Sequence, residues 1–369
     1  MILFDPAADA GWLDYGILIP FPADRPAKIV DFLGEAARRF PGPVLQLDQA
    51  LELLGEKAPF AVEQRDVELI HASDYVEVLF QKGDDAPLTR ALLDIYELID
   101  ADGKPNRYDA ARAVKPMRDM FERAILGRLA GSYVAARLAL EGGEGFCYYL
   151  AGGNHHARYE WGAGFCVLND VVFTARKLQH ERRAKLIWII DVDAHKGCGS
   201  AELVDFIRRG LNPHSFEEGC GILTLSAHMA RGWPLDAETL SGSLPDRAPN
   251  ISSDIEIPIE AGEEALYNQK LEAGLRRLED LSGGAACDLA IVVDGADPYE
   301  KDELASAALL ALTLGQLVER GNLIYTFLSE RGIKSVWLLA GGYGERAWEP
   351  AAYFLESLAA APLATKGLT

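Results

Sequence analysis

The sequence predicts an α/β protein with a single central parallel β-sheet that is flanked by helices on both faces. Several short apolar runs are bounded by Gly, Asp or Ser and do not alternate with polar residues. Such continuous apolarity is typical of strands that are covered on both faces. Longer segments with helical periodicity lie between these runs. Strands that alternate with helices indicate right-handed crossovers and a doubly wound sheet.

The individual elements follow from the same periodicity. The predicted buried strands are Val44–Leu47, Phe146–Leu150, Leu186–Ile190, Gly221–Leu225, Leu289–Val293 and Val336–Leu339. The clearest predicted helices are Arg118–Glu141, Val171–His180, Glu263–Leu281 and Ala305–Arg331. The length suggests roughly two domains, but large α/β proteins often form one, and no internal repeat or low-complexity linker divides the chain. We expect a single domain over residues 1–369. The charged, Pro-containing stretch around 84–115 is expected to be a long surface excursion, with an interdomain linker as the alternative. Pro245 and Pro249 mark another predicted surface loop.

The charge balance limits the classes of partner. The chain has 369 residues, with 36 Lys+Arg against 56 Asp+Glu and a formal net charge of −20. Direct nucleic-acid binding is not expected, because phosphate neutralisation needs clustered Lys and Arg. An acidic surface favours cationic ligands, although it more often serves only solubility.

Cysteine content and hydropathy indicate the compartment. The five cysteines are an odd number with no CxxC pair, which fits a reducing compartment and argues against a Cys-ligated zinc. The first residues carry no pattern of a signal peptide. The longest uncharged stretch, Leu304–Val318, is shorter than the ~18–20 apolar residues that a spanning helix needs. We therefore expect a cytoplasmic protein without a membrane partner.

Polar residues follow most of the predicted strands. They are Gly152-Gly153-Asn154-His155-His156, Asp191-Val192-Asp193-Ala194-His195, Ser226-Ala227-His228, Asp294-Gly295-Ala296-Asp297 and Gly341-Gly342-Tyr343. In open parallel sheets, ligands bind beyond the carboxyl ends of the strands. We therefore expect these side chains to converge on one crevice.

Three of these residues are candidate metal ligands. Asp193 and His195 are two residues apart at a strand end, so both side chains point to the same side. Asp297, beyond another strand, could supply a third ligand. Two carboxylates and one imidazole suit Zn²⁺ and leave one coordination position open, as in catalytic sites. A strand-end Asp often only caps the next helix, which is the simpler interpretation of any one of them.

The other candidates are proton-transfer and hydrogen-bonding groups. His155 and His156 follow a Gly-Gly turn and are natural acid and base groups beside a metal-bound water. Tyr343 follows two glycines and could donate to a developing oxyanion, although a packing role is equally compatible with the pattern. His71, His180 and His214 lack such a context and are expected to be surface or loop residues.

The motifs resemble those of the zinc-dependent histone deacetylase family, which includes bacterial acetylpolyamine amidohydrolases and acetoin-utilisation proteins. The resemblance is carried by Gly152–Ala157, Gly164–Asp170, Ile190–Gly197, Gly295–Asp297 with Asp302, and Gly341–Tyr343. Asp24-Arg25-Pro26 and His71–Tyr75 match the N-terminal pattern more loosely. Ala194 and the absence of a second His after His195 are closer to the class IV branch than to class I.

The resemblance implies the arginase/deacetylase fold and hydrolysis of N-acyl-lysine or N-acylpolyamine amides. It implies zinc on Asp193, His195 and Asp297, with His155 and His156 handling protons. Tyr343 would polarise the acyl carbonyl, and Asp191 would hold the ring of His155. Further residues take implied supporting roles: Gly164, Phe165 and Trp233 would line the acyl-lysine tunnel, and a structural K⁺ would bind carbonyls of Asp191, Asp193, His195 and Ala227 and the hydroxyl of Ser226. A homo-oligomer is compatible with this family.

Two positions depart from the family pattern, and two alternatives stay open. Cys198 stands where an Asp or Asn usually supports the second histidine, and a thiol is a weak hydrogen-bond partner. Lys196 replaces the usual His or Gln and adds a cation close to the metal strand. One alternative is an arginase-like di-manganese ureohydrolase, but Gly197 stands where such an enzyme needs another Asp. The other is a non-catalytic module that binds acyl-lysine.

Overall fold

Eight strands form a single parallel sheet in the part of the chain that the structure describes. The computed structural model describes residues 1–6, 11–35, 42–56, 60–100, 102–212, 221–236 and 250–360. Along the sheet the strands lie in the order β2-β1-β3-β8-β7-β4-β5-β6. Every neighbouring pair of strands is parallel.

Six of the eight described strands overlap the predicted apolar runs, and β1 and β6 do not. The strands are β1 Ile2–Leu3, β2 Val44–Leu45, β3 Phe146–Tyr149, β4 Ile187–Asp191, β5 Ile222–Met229, β6 Ile255–Ile259, β7 Leu289–Val293 and β8 Lys334–Leu338. The prediction of a fully buried strand at Val44–Leu47 is wrong. This segment forms only a two-residue edge strand, and Val44 is 40% exposed because no neighbour covers that side.

Helices connect the strands and cover the sheet. They are α1 Arg25–Glu35, α2 Leu47–Leu53, α3 Gln64–Val67, α4 Ser73–Phe80, α5 Ala86–Ile95, α6 Met117–Asp119, α7 Leu126–Glu141, α8 Asp170–His180, α9 Cys198–Arg208, α10 Tyr267–Leu281, α11 Leu314–Glu330 and α12 Glu349–Ala360. A π-helical segment, Met120–Ile125, joins α6 to α7. Among the described residues, no helix is both long and apolar enough to cross a membrane.

Two apolar layers bury the faces of the sheet. Ile189 and Ile291 belong to one layer, which includes residues of α7 and α8. Their sequence neighbours Ile190 and Val292 belong to the other, which includes residues of α10, α11 and α12. Successive strand residues point to opposite faces, so an uninterrupted apolar run supplies both layers. The predicted class, a parallel sheet with helices on both faces, is confirmed.

Two predicted segments differ in detail. The helix expected over Ala305–Arg331 begins only at Leu314, because the Thr313 hydroxyl accepts from the backbone N–H of Gln316 and caps α11 there. The segment 84–115 is not wholly a surface excursion. Its first part is α5, whose Leu88 and Leu92 are fully buried. The loop predicted at Pro245 and Pro249 lies outside the described residues.

Candidate functional site

Four neighbouring strands deliver the candidate site residues. β3, β8, β7 and β4 are adjacent in the sheet, and their carboxyl ends lead into His155–His156, Tyr343, Asp297 and Asp193–His195, respectively. Residues from all four strand ends line one cavity of about 130 Å³. The convergence follows from topology, because parallel strands all end at the same edge of the sheet.

Asp193, His195 and Asp297 form a buried cluster of potential metal ligands. One donor atom of each lies within 4.8 Å of the others. The His195 Nδ1 atom is 2.8 Å from Asp297 Oδ2 and 3.3 Å from Asp193 Oδ1. Two carboxylates and an imidazole that point to a common centre are a donor set that Zn²⁺ accepts.

The backbone packs tightly around these carboxylates. A Cβ atom on Gly295 would lie 2.3 Å from Asp193 Oδ2, and one on Gly341 would lie 2.5 Å from the same oxygen. Backbone N–H groups also fix the carboxylates: Gly341 donates to Asp193 at 3.2 Å, and Ala194 donates to Asp297 at 2.9 Å. The cluster is therefore rigidly oriented, and both glycine positions exclude a side chain.

The electrostatics of the cluster favour a bound cation. Burial and then the charge of Asp193 raise the pKa of Asp297. Burial also opposes ionisation of Asp193, but His155 and His195 outweigh it and lower the pKa of Asp193 to about 2. Burial disfavours a charged His195, yet the same two carboxylates raise its pKa to about 10. The two crowded carboxylates thus attract positive charge, which a divalent ion would supply.

His155 forms a buried hydrogen bond with Asp191. The His155 Nδ1 atom is 2.6 Å from Asp191 Oδ2, and both residues are buried. Burial lowers the pKa of His155, but Asp191 and Asp193 outweigh burial and raise it to about 9. A Cβ atom on Gly197 would lie 2.1 Å from Asp191 Oδ2, so no ligand side chain fits at Gly197.

His156 has a different environment from its neighbour. Its Nδ1 atom lies 3.7 Å from the Cys198 Sγ atom, so the thiol occupies the supporting position. Burial, followed by the charges of His155 and His195, lowers the pKa of His156 well below its usual value. The Trp233 ring packs edge-to-face on His156, with 4.5 Å between ring centroids. His156 is thus enclosed and neutral.

Gly164 and Phe165 form a tight bend beside this ring. Both have positive φ, 53° for Gly164 and 65° for Phe165. A Cβ atom on Gly164 would lie 2.3 Å from the Trp233 ring and 2.6 Å from the His156 ring. Of the three residues predicted to line a tunnel, Gly164 and Trp233 pack against His156, and Gly164 and Phe165 line the cavity.

Tyr343 lies across the cavity from these residues. Its ring centroid is 6.3 Å from that of Phe165 and 5.4 Å from that of Phe21. Asp302 accepts a 2.7 Å hydrogen bond from the Tyr343 backbone N–H and so helps to fix the loop. Burial, followed by Asp297 and Asp193, raises the pKa of Tyr343 well above its usual value. Its hydroxyl therefore remains a protonated hydrogen-bond donor at neutral pH.

Two of the residues predicted to hold potassium, Asp191 and Ser226, lie on the neighbouring strands β4 and β5. Asp191 and Ser226 are direct partners in the β4–β5 register. The Ser226 Oγ atom is 3.0 Å from His228 Nδ1. Lys196 does not add an unpaired cation near the metal cluster, because its Nζ atom lies 3.0 Å from Glu256 Oε1 on β6.

Phe21 and Ser306 are among the residues near the site that the sequence interpretation missed. Phe21 lines the cavity, and its ring centroid is 5.5 Å from that of Phe165. Phe21 comes just before the Asp24-Arg25-Pro26 motif, and this proximity could have identified it as a residue of the site. The Ser306 Oγ atom lies 3.3 Å from His195 Nε2, opposite the nitrogen that faces the cluster. No sequence signal pointed to Ser306.

The prediction that His71 is a surface or loop residue is wrong. His71 is fully buried, and its Nδ1 and Nε2 atoms bond the backbone of Arg158 and Asn169. The motif His71–Tyr75 was visible in the sequence. Because it is far along the chain from the other motifs, the sequence did not indicate that His71 is buried. His180 is exposed at the end of α8, as predicted. His214 lies outside the described residues.

Comparisons with known proteins agree with this geometry. The profile of the histone deacetylase domain matches residues 20–357. Histone deacetylase 2 of Arabidopsis thaliana is 24% identical over 347 residues, which cover 93% of this chain and 74% of the relative. The acetoin utilization protein AcuC of Staphylococcus aureus (strain COL) is 26% identical over 223 residues, which cover 60% of this chain and 51% of AcuC.

A further relative and a solved structure extend the comparison. An uncharacterized protein of Picosynechococcus is 29% identical over 221 residues, which span 63% of its length. The chain thus spans about half to two thirds of two of these relatives. The crystal structure of the HDA15 HD domain has the same fold, with a TM-score of 0.61 at 18% identity, covering 98% of this chain and 91% of that one. Because the domain profile matches most of the chain, the protein belongs to the histone deacetylase family.

Proposed function

We propose that the protein is a zinc-dependent amidohydrolase that removes acyl groups from N-acyl-lysine or N-acylpolyamine substrates. The observation that carries this proposal is the buried Asp193–His195–Asp297 cluster at the base of a cavity that is also lined by two histidines and a tyrosine. The family supports deacetylation of acetylated substrates. The proposal adds the metal, the roles of the residues and the class of amine.

Asp193, His195 and Asp297 would hold the zinc ion. When bound, zinc would polarise the substrate carbonyl and make a water molecule more acidic. The tight packing of Gly295 and Gly341 on the carboxylates keeps the ligands preorganised. Ser306 would orient His195 from behind through its contact with Nε2, an arrangement that tunes many metal sites.

The two histidines divide the proton transfers. His156 is neutral because its pKa is lowered by burial, so it would accept a proton from water as that water attacks. Burial lowers the pKa of His155, but Asp191 and Asp193 outweigh burial and raise it to about 9, which favours the protonated ring. It would therefore stabilise negative charge in the transition state and serve as the proton source for the departing amine. Neighbouring groups with opposite pKa shifts are a recurring sign of such paired roles.

Tyr343 would donate a hydrogen bond to the oxyanion that forms on the acyl carbonyl. Its high pKa keeps the proton on the phenol. The surrounding rings of Phe21 and Phe165 exclude water, which strengthens a hydrogen bond made inside the cavity. The same rings would enclose the aliphatic part of an acyl-lysine side chain.

Several further features remain part of the proposal. The resemblance implies a structural K⁺ at Asp191, Asp193, His195, Ser226 and Ala227, and the adjacency of Asp191 and Ser226 is compatible with it. The described cysteines are buried and free, which supports a reducing, cytoplasmic location. The acidic net charge of −20 suits basic peptides and polyamines. A homo-oligomer and the absence of nucleic-acid binding are also proposed.

A substrate panel tests this function directly. Zinc-loaded protein would be assayed with acetyl- to myristoyl-lysine peptides and with acetylated polyamines, beside an Asp297→Asn variant. We expect hydrolysis of at least one class and its loss in the variant. Binding without hydrolysis of any of them would favour an acyl-lysine binding module. Two Mn²⁺ per chain with urea release from a guanidino substrate would favour a ureohydrolase.

A further inference from the structure

The wall of the cavity is a strained loop. Residues 158–169, here called the tunnel loop, connect His156 to α8 and carry Phe165. Phe165 has a φ of 65°, in the left-handed region that non-glycine residues rarely occupy. Such a backbone persists only where its surroundings hold it in place. The tunnel loop therefore needs contacts that outweigh this strain.

One buried side chain joins the two ends of the tunnel loop. The His71 Nδ1 atom lies 2.8 Å from the carbonyl oxygen of Arg158, the first residue of the loop. Its Nε2 atom accepts a 3.1 Å hydrogen bond from the backbone N–H of Asn169, the last residue. A single tautomer satisfies both bonds, with the proton on Nδ1. His71 thus closes the base of the loop.

The residues after His71 add two more contacts to the same loop. The backbone N–H of Ala72 donates to the carbonyl oxygen of Tyr159 at 2.9 Å. The Tyr75 hydroxyl donates to the carbonyl oxygen of Val167 at 2.7 Å. Residues 71–75, here called the clamp, therefore contact the loop on both sides of the bend at Phe165.

The packing around the bend at Gly164 and Phe165 leaves little room for the loop to move. Gly164 packs so closely on Trp233 and His156 that even a Cβ atom would collide with both rings. On the outer side, the rings of Tyr96 and Phe165 are stacked, with centroids 6.3 Å apart. A shift of the loop by the width of one atom would change the width of the cavity beside His156.

We propose that the clamp, through His71 and Tyr75, is a positioning element that holds the tunnel loop in its substrate-binding shape and so sets the affinity for the acyl-lysine side chain. This rests on the proposed function for the identity of the substrate. His71 touches no reacting atom and acts through the backbone of the loop. When the clamp is weakened, a smaller fraction of molecules has the binding-competent loop, and the apparent dissociation constant rises by the reciprocal of that fraction.

The first experiment does not depend on activity. Amide hydrogen exchange of the zinc-loaded protein would be measured for wild type, His71→Phe, His71→Gln and Tyr75→Phe. Phe keeps a ring without hydrogen bonds, whereas Gln restores one donor and one acceptor. The control is Tyr15→Phe, which removes a part-buried hydroxyl that donates at the same 2.7 Å, to Asp119. We expect about tenfold faster exchange within residues 158–169 in His71→Phe, about twofold in Tyr75→Phe and no change there in the control.

The second experiment separates binding from chemistry. With the best acyl-lysine substrate, we expect KM to rise about tenfold in His71→Phe while kcat changes less than twofold. The reason is that a displaced loop weakens binding of the ground state and of the transition state by the same amount. His71→Gln should recover most of the wild-type KM, and Tyr75→Phe should raise KM about twofold. Zinc content should match wild type in every variant.

The outcomes are distinct. Unchanged exchange in the tunnel loop of both His71→Phe and Tyr75→Phe would overturn the clamp, as would a fall in kcat at constant KM. Were His71→Phe too unstable to purify, Tyr75→Phe and His71→Gln would decide by the same criteria. If wild type hydrolysed no substrate, the proposed function would fail, but the exchange experiment would still test the clamp.

Discussion

Replacing Arg320 by methionine should strongly destabilise the protein. Arg320 lies on α11 and is 1% exposed. Its guanidinium donates to the Val192 carbonyl at 2.8 Å, to the Gly295 carbonyl at 2.7 Å and to Asp294 Oδ1 at 2.7 Å. It therefore ties together the two backbone segments that carry the candidate metal ligands beyond β4 and β7.

The magnitude follows from what the substitution leaves behind. Asp294 would keep its 2.7 Å hydrogen bond from the Tyr148 hydroxyl but would lose the guanidinium with which it forms a buried ion pair. Removing one partner of a buried ion pair costs about 3–5 kcal/mol, because an uncompensated charge stays in the interior. Methionine fills part of the volume, so we expect a loss in this range. That is a large share of the ~5–15 kcal/mol that stabilises a typical domain.

Urea unfolding, followed by circular dichroism, measures the loss as a change in midpoint at constant slope. Arg331→Met is the matched control, at the residue that follows the last residue of α11. Its guanidinium pairs with Glu279 at 2.9 Å, but its side chain is 25% exposed. Partly exposed pairs contribute about 0–1 kcal/mol. The double variant Arg320→Met/Asp294→Leu should recover much of the stability, because it removes the orphaned charge as well.

Equal losses in Arg320→Met and Arg331→Met would show that burial does not amplify the Arg320 pair, and the reasoning would be wrong. The same would follow if the double variant were less stable than Arg320→Met alone. Metal affinity, measured by competition with a chelator, should fall in Arg320→Met and stay unchanged in Arg331→Met.

Four further outcomes are expected. Tyr343→Phe should lower turnover by about 10²–10³-fold with zinc content retained by elemental analysis, as for the loss of an oxyanion donor. Cys198→Asn should remain active and move the acidic limb of the pH–rate profile to higher pH. An amide oxygen stabilises a protonated His156 better than a thiol does and so raises the pKa of that histidine. Burial lowers the pKa of His71 from 6.5 to about 4, so the unfolded state binds more protons and up to about 3 kcal/mol of stability is lost as pH falls from 6.5 to 4. Urea midpoints should show this loss in wild type and a shallower one in His71→Gln. Chelation of zinc should lower the melting temperature, and added Zn²⁺ should restore it in wild type but not in Asp297→Asn.

Much of the fold could be predicted because both faces of the central strands are covered. β7 coincides with its predicted run, Leu289–Val293, since every residue of a doubly covered strand must be apolar. β1 has only two residues, Ile2 and Leu3, which is too short for any periodicity to be visible. β6 alternates and contains Pro258, which argues against a strand in sequence but is tolerated at the sheet edge.

The candidate site was predictable to the extent that its residues follow strand ends. The metal cluster and Tyr343 belong to motifs of that kind. His71 was misjudged because its bonds are to backbone atoms of residues 158 and 169, and such contacts leave no pattern in side-chain types. Ser306 lies in a segment whose apolar periodicity predicts an α-helix. Instead, the segment forms a loop with one 3-10 turn, and backbone hydrogen bonds of Leu312 with residues 298 and 300 close this loop.

Glu256 links the outermost strand of the sheet to the metal site. One of its oxygens lies 3.0 Å from the ammonium of Lys196, the residue next to His195, and the other lies 3.3 Å from His228. Detaching β6 would leave the nearly buried Lys196 ammonium without its counter-ion, at a considerable electrostatic cost. Fraying at this border of the sheet is thereby coupled to the segment that carries the candidate ligands Asp193 and His195, so we expect a substitution at Glu256 to reach that segment from a distance.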